Sequence, residues 1–255
     1  MTKKIVLLLL IAATIVGCAS KKDVLYFQDL AKEGVPQPDT TSRYPKIQVN
    51  DILKIDVTAL NPDAVIPFQF EKTVSMQGNK SLDLMQLEGY VVREDGQINF
   101  PILGDIEAQG LTTREFQKKM EELLSVYIKD ASVKVRLLNF KVTILGEVKN
   151  PGTISLTEES VTLPQALGLV GDLTINGQRE NVLIIRTVDG KRETKRIDMT
   201  QSDWMDSPYY FLKQNDFIYV SPNGPKVASS GFVGNVGTLL SVVSILLTVV
   251  VLLSR

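Results

Sequence analysis

The side chains that could carry chemistry in this chain are few, because it contains no histidine and only one cysteine. The 255 residues hold a single thiol, at Cys18. Without histidine, the chain cannot use a Ser-His or Cys-His nucleophile or an imidazole metal ligand. One cysteine can form neither an internal disulfide nor a thiolate zinc or iron–sulfur centre. The sequence therefore predicts no metal and no cofactor, and Cys18 is the candidate for covalent chemistry.

Carboxylates and aromatic rings are the remaining candidates for chemistry on sugars. A glycan hydrolase needs a pair of carboxylates in defined positions. The chain has 29 acidic residues, but none falls in a recognisable pair, so the enzyme hypothesis is the weakest and we predict no enzyme. A net charge of −1 gives no reason to expect a nucleic-acid partner.

An aromatic cluster could stack on sugar rings, although a core or subunit-interface role is the more common use: Trp204, Tyr209, Tyr210 and Phe211.

Cys18 lies at the end of a segment with the features of an export signal. Lys3 and Lys4 precede an apolar run over 5–16, which suits a signal peptide and is short for a membrane span. The four residues that end in Cys18, Ile-Val-Gly-Cys, resemble the bacterial lipobox, in which the cysteine is diacylated and becomes the first residue. We therefore predict a signal peptide over 1–17, a lipid on Cys18 and a lipidated tether over 18–45.

The body is predicted to form two small α+β units, over 46–139 and 140–222. In the first unit, residues 47–59 alternate in polarity as a half-buried strand does, and Asp95-Gly96 predicts a hairpin between 90–93 and 97–103. Thr112 stands three residues before Glu115, the spacing of a capping box, and an amphipathic helix is expected to follow to about residue 128.

The second unit shows the same mixture of short strands and one short helix. An Asn-Pro-Gly turn at 150–152 separates two strands, and Thr162 is a candidate cap for a helix. A hairpin is predicted with Asp189-Gly190 at its tip, and a last strand precedes residue 222. None of the glycines lies in a phosphate-binding pattern.

The C-terminal segment is uncharged between Lys226 and Arg255. After a linker over 223–231, the 22 residues 232–253 would form about 33 Å of helix, enough for a hydrocarbon core of about 30 Å, so a transmembrane helix is predicted. Small residues at intervals of three and four share one face of this helix, which we predict to face inward: Gly234, Gly237, Ser241, Ser244 and Thr248. The opposite face would meet lipid: Leu239, Val243, Leu246 and Val250. A single-pass anchor is the alternative interpretation.

Several segments resemble one family. The stretch VREDGQINFPILGDIEAQGLTTREF at 92–116 looks like the signature of the export domain in bacterial polysaccharide export lipoproteins, the Wza-like outer-membrane family. The stretches VTILGEVKNPGTISL and LKQNDFIYV resemble the start and end of that family's soluble-ligand-binding β-grasp (SLBB) module. The chain departs from larger members by having one such module, and by Gly171-Asp172 where many have Gly-Gly, a change that we expect to matter little.

The resemblance implies a function that the residues alone do not give. It implies a homo-oligomeric ring, octamer-like, that passes capsular or exopolysaccharide from the periplasm to the cell surface, with each C-terminal helix in the outer membrane. Its implied partners are further copies of the chain, an inner-membrane co-polymerase or kinase, the polysaccharide and membrane lipid. Ala19 after the cysteine, where an inner-membrane lipoprotein would carry Asp, also points to the outer membrane. The alternative is an inner-membrane bitopic lipoprotein that acts as an assembly or adaptor factor.

Overall fold

The computed structural model describes residues 21–30, 34–38, 43–69, 89–188, 190–230 and 236–253. The predicted signal peptide, Cys18 and Gly234 lie outside these ranges. The described body is a mixed α+β structure, which confirms the predicted fold class at that level.

Within its described residues, the first part of the body contains a three-stranded antiparallel sheet, a separate hairpin and one α-helix. The sheet has the order β2-β1-β5, and the hairpin pairs β3 with β4. The bounds are β1 Ile52–Thr58, β2 Tyr90–Val91, β3 Gln97–Phe100, β4 Gly104–Glu107, α1 Thr113–Leu124 and β5 Ser132–Leu137. A short 3-10 helix, Pro62–Phe68, follows β1.

The predicted hairpin around Asp95-Gly96 has to be corrected. A turn does form there, with the Arg93 N–H donating to the carbonyl of Gln97 at 2.9 Å. However, β2 pairs with β1, and β3 pairs with β4 on the far side of a second turn. The strand before a turn can pair with any sheet edge that has no other strand on it. Here β2 pairs with the free edge of β1.

Helix α1 begins where the capping box predicts. The hydroxyl of Thr112 accepts a hydrogen bond from the backbone N–H of Glu115 at 3.2 Å, and the Glu115 carboxylate accepts one from the N–H of Thr112 at 2.8 Å. The inward face of the helix buries Phe116, Met120 and Leu124 completely. This face packs on β5, whose residues alternate between buried and exposed.

The second part of the body is a five-stranded sheet with one helix. The strand order is β7-β6-β10-β8-β9, in which β6 and β10 are parallel and the other neighbours are antiparallel. The bounds are β6 Lys141–Gly146, β7 Gly152–Ser155, α2 Leu163–Leu169, β8 Gly177–Val188, β9 Lys191–Ile197 and β10 Phe217–Pro222. The predicted cap at Thr162 and the predicted β8–β9 hairpin are confirmed.

A glycine is required at one close approach in this sheet. Gly146, at the end of β6, has a φ of +94°. A Cβ atom at this position would lie 2.0 Å from the carbonyl oxygen of Val220 on β10. Any other residue would push the two parallel strands apart.

The two parts of the body share one continuous core and are joined at their junction by side-chain hydrogen bonds. The Asn139 side chain accepts a hydrogen bond from the N–H of Ile52 and donates one to the carbonyl of Asn50, both at 2.9 Å. Its backbone carbonyl accepts from the Gln214 side chain at 2.8 Å. The amide side chain of Gln214 also accepts from the N–H of Lys141 at 2.8 Å. Buried side chains of both parts belong to a single cluster.

The C-terminal segment differs from the prediction in its linker. The predicted linker contains a short helix, α3 Gly224–Ser229, because Asn223 caps it by accepting from the N–H of Lys226 at 3.0 Å and Pro225 suits its first turn. The next helix, α4, is described over Val236–Leu253.

No helix within the described residues is both long and apolar enough to cross a membrane. Residues 232–235 of the predicted membrane-spanning helix lie outside the described residues, and its described part is α4, with 18 residues.

Candidate functional site

Part of the predicted tether is docked on the second part of the body. The backbone N–H of Gln28 donates to the carbonyl of Thr200 at 2.7 Å. The Asp29 carboxylate accepts hydrogen bonds from the backbone N–H and the hydroxyl of Ser202, at 2.8 and 2.9 Å. These hydrogen bonds keep the pKa of Asp29 below its ordinary value against the opposing effect of desolvation. The chain that follows the predicted lipid site is thus held on the body within ten or eleven residues of Cys18.

The aromatic cluster that was a candidate for sugar stacking instead supports this docked segment. Phe27 stacks on Trp204 with ring centroids 6.1 Å apart, and Tyr210 lies against the same indole at 5.8 Å. Trp204 is buried, and its indole N–H donates to the carbonyl of Gln201 at 2.9 Å. Phe211 is buried as well. The structure therefore assigns Trp204 and Phe211 to the core, the more common of the two uses.

Tyr26 makes a contact that sequence reasoning missed. Its hydroxyl donates to the Asp172 carboxylate at 2.6 Å, and the Arg179 guanidinium lies 5.0 Å from the centre of its ring. Burial, and then the hydrogen bond to Asp172, raise the pKa of Tyr26. Asp172 adopts a φ of +72°, a conformation that Asp tolerates better than most residues. The replacement of the second glycine by Asp172, which we expected to matter little, supplies the acceptor for the tether.

A buried ion pair holds the loop that carries the aromatic cluster. The Arg186 guanidinium donates to both oxygens of the Asp216 carboxylate, at 2.9 and 2.6 Å. It also donates to the carbonyls of Pro208 and Phe211, at 2.8 and 2.9 Å. The two side chains are 2% and 0% exposed. Arg186 thereby fixes the backbone on either side of Tyr209 and Tyr210.

A cleft of about 460 Å³ lies at the junction of the two parts of the body. Its apolar base comes from β5 and from the segment after β7: Val135, Leu137, Leu138 and Leu156. Its polar wall comes from the tether, the start of α1, β5 and the segment after β7: Tyr44, Thr113, Arg114, Lys134, Arg136 and Glu159. The volume lies in the range of small-molecule binding sites. As in such sites, the lining combines apolar and aromatic side chains with charged groups.

The described members of the predicted small-residue stripe are exposed, as are the other described side chains of α4, and the inward orientation of the stripe stays a prediction. The Ser241 hydroxyl donates to the carbonyl of Gly237, and the Thr248 hydroxyl donates to the carbonyl of Ser244, both at 2.8 Å. These hydroxyls therefore need no outside partner, which lowers the cost of placing this face against apolar surroundings. Gly234, the first member of the stripe, lies outside the described residues.

The two parts of the body correspond to two known domain families in succession. Residues 39–138 match the family described as polysaccharide biosynthesis/export protein, and residues 140–220 match the SLBB domain. The class is thus that of polysaccharide export components rather than enzymes. The chain belongs to the Wza-like polysaccharide export family, which confirms the resemblance seen in the sequence.

Two curated relatives have the same printed name, EPS I polysaccharide export outer membrane protein EpsA. The relative from Ralstonia nicotianae is 30% identical over 180 residues, which are 69% of this chain and 46% of the relative. The relative from Ralstonia solanacearum is 28% identical over 201 residues, which are 76% of this chain and 52% of the relative. The chain spans about half the length of the curated relatives it matches.

Proposed function

We propose that the chain is a subunit of an outer-membrane channel for polysaccharide export. Copies of it would form a homo-oligomeric ring that passes capsular or exopolysaccharide from the periplasm to the cell surface. The observation that carries this proposal is the succession of an export domain and an SLBB domain over 39–138 and 140–220. The relatives that match across both modules are named as outer-membrane export proteins.

The proposal includes a lipid on Cys18 and a defined orientation of the body. Seven residues lie between Cys18 and Tyr26, so the eight steps from one to the other reach at most about 29 Å. Because Tyr26 is docked on the second part of the body, an acyl anchor on Cys18 would hold that part close to the membrane surface. The helix α4 leaves from the same part, after β10. Both chain ends therefore support an arrangement with the SLBB module nearer the membrane.

The small-residue face of α4 is proposed to contact the same helix in neighbouring copies. Small side chains allow two helices to approach closely, and the hydroxyls of Ser241 and Thr248 already donate hydrogen bonds within the helix. Replacing Ser241 and Ser244 with Leu should prevent assembly or lower surface polysaccharide while the protein level is kept. Replacing the exposed Val242 and Val249 with Leu adds apolar bulk elsewhere on α4 and is the matched control. Equal surface polysaccharide in the two strains would contradict the contact.

Deletion and complementation provide the main test of the export function. Deletion of the coding sequence should abolish surface polysaccharide and leave material in the periplasm, and the full chain should restore export. Class averages of the detergent-extracted protein should show closed rings, and membrane fractionation should place the protein in the outer membrane. Normal surface polysaccharide in the deletion strain would refute the proposal. Monomers in the inner membrane would instead favour an adaptor of the export system, acting beside an inner-membrane co-polymerase or kinase.

A further inference from the structure

The cleft at the junction of the two parts of the body has an excess of positive charge. Three basic residues and one acidic residue line it: Arg114, Lys134, Arg136 and Glu159. The Glu159 carboxylate accepts a hydrogen bond from the Thr113 hydroxyl at 2.7 Å, which occupies one of its oxygens. Among the described carboxylates, none forms an ion pair with any of the three basic side chains. Within the described residues, these three cations are therefore available to a ligand.

The strand register places further like charges beside this wall. Lys54 on β1 stands directly opposite Arg136 on β5, an arrangement that destabilises an antiparallel pair. Asp56 stands opposite Lys134 but forms its ion pair with Lys54, at 3.6 Å. Arg136 thus faces a like charge across the strand pair. A ligand that carries negative charge would weaken that repulsion.

An aromatic ring stands in the same wall. Tyr44 is 41% exposed, and the guanidinium groups of Arg43 and Arg114 lie 5.6 and 5.7 Å from the centre of its ring. Cation–π contacts of this kind hold both the ring and the guanidinium groups in place. A guanidinium beside an exposed ring can pair with a carboxylate while the ring contacts the apolar face of a sugar.

We propose that this cleft binds an anionic saccharide segment whose sugars carry carboxylate groups. Arg114 and Arg136 pair with the carboxylates, Tyr44 stacks against a sugar ring, and the apolar base contacts C–H groups of the same segment. The proposal rests on the export function, which makes a polysaccharide the cargo, and it specifies the chemical class of that cargo as acidic. It assigns a role in cargo recognition to Tyr44 and Arg136, which lie about ninety positions apart in the chain.

The test uses the full chain in detergent and isothermal titration with two trisaccharides of equal length, the anionic trigalacturonate and the neutral maltotriose. Trigalacturonate should bind at least tenfold more tightly than maltotriose, and the difference should shrink at high salt. The double variant Arg114→Gln, Arg136→Gln should lose at least tenfold in affinity for trigalacturonate. The control variant Arg192→Gln, Lys195→Gln removes the same charge from β9, which does not line the cleft, and should bind as the parent does.

Several results would overturn this assignment. They are equal affinity for both trisaccharides, no binding of trigalacturonate at millimolar concentration, and an equal loss in the β9 control. If the Arg114 and Arg136 variant fails to form rings but keeps its affinity for trigalacturonate, the cleft is a contact between copies and the proposal fails. Normal polysaccharide export in a deletion strain would refute the export function separately, since the titration measures only selectivity for charge.

Discussion

The buried ion pair between Arg186 and Asp216 should be the most sensitive point of the second part of the body. We predict that Asp216→Asn destabilises the protein by about 3–5 kcal/mol, the range for removing one partner of a buried pair. The reason is that Asn keeps the volume of Asp but leaves the guanidinium as an uncompensated charge. Both side chains are fully buried, at 2% and 0% exposure, so water cannot replace the lost carboxylate.

The four hydrogen bonds of Arg186 determine how much stability the variant loses and how many elements it disturbs. Two go to the Asp216 carboxylate, and two go to the carbonyls of Pro208 and Phe211. Asp216 also accepts from the N–H of Lys213 at 2.8 Å. The variant therefore disturbs β8, β10 and the loop under the aromatic cluster together. At roughly 2–4 °C per kcal/mol for a body of this size, the melting temperature should fall by about 6–20 °C.

Thermal unfolding of the full chain in detergent, followed by circular dichroism, measures this shift. The control is Asp56→Asn, which breaks the exposed pair with Lys54, where the two side chains are 41% and 47% exposed. Exposed pairs contribute about 0–1 kcal/mol, so this variant should melt close to the parent. If Asp216→Asn melts within 2 °C of the Asp56 control, the buried pair is not the stabilising element described here.

Three further predictions concern single side chains. Desolvation raises the pKa of Asp51 to about 6, above its unfolded value of 3.8, so its contribution to stability is present below about pH 4 and is lost as the pH rises through 6. In the parent, this group lowers the free energy of unfolding by about 2 kcal/mol between pH 4.5 and pH 7. Asp51→Asn should remove that pH-dependent loss, as measured by urea unfolding at the two pH values. A loss as large as in the parent would contradict the assignment. Thr112→Ala should cost about 1 kcal/mol by loss of the cap on α1, visible as a lower urea midpoint, while Thr112→Ser should retain the cap. Cys18→Ser should abolish labelling by an alkyne fatty acid; label that persists would refute acylation at this residue, and a variant that resists carbonate extraction would show that another segment holds the chain in the membrane.

Local signals in the sequence specified much of the fold. The capping box at Thr112 and Glu115, the helical spacing after it and the alternation along β1 and β5 each depend on neighbours within a few residues. The turn at 150–152 and the β8–β9 hairpin depend on short-range backbone preferences in the same way. The two-module order was also visible, because the family's motifs are short stretches in a fixed sequence.

Pairings between distant residues could not be obtained in this way. The turn at Asp95-Gly96 forms, yet the adjoining strands take other partners, because the core decides which sheet edge is open. The small-residue stripe was visible from its spacing, and its inward orientation stays a prediction. The short helix α3 was missed because the Asn cap and Pro that start it were interpreted as linker residues.

Only the tertiary structure brought together the groups that define the sites. Tyr26 meets Asp172 across 146 positions, and Arg186 meets Asp216 across 30. The sequence determined that these residues are polar and able to pair, and it determined the single cysteine and the absence of histidine. It could not determine which charges are buried together or which of them line a cleft. Those outcomes depend on how two sheets and a docked segment share one core, and the energy of that packing is a property of all the elements at once.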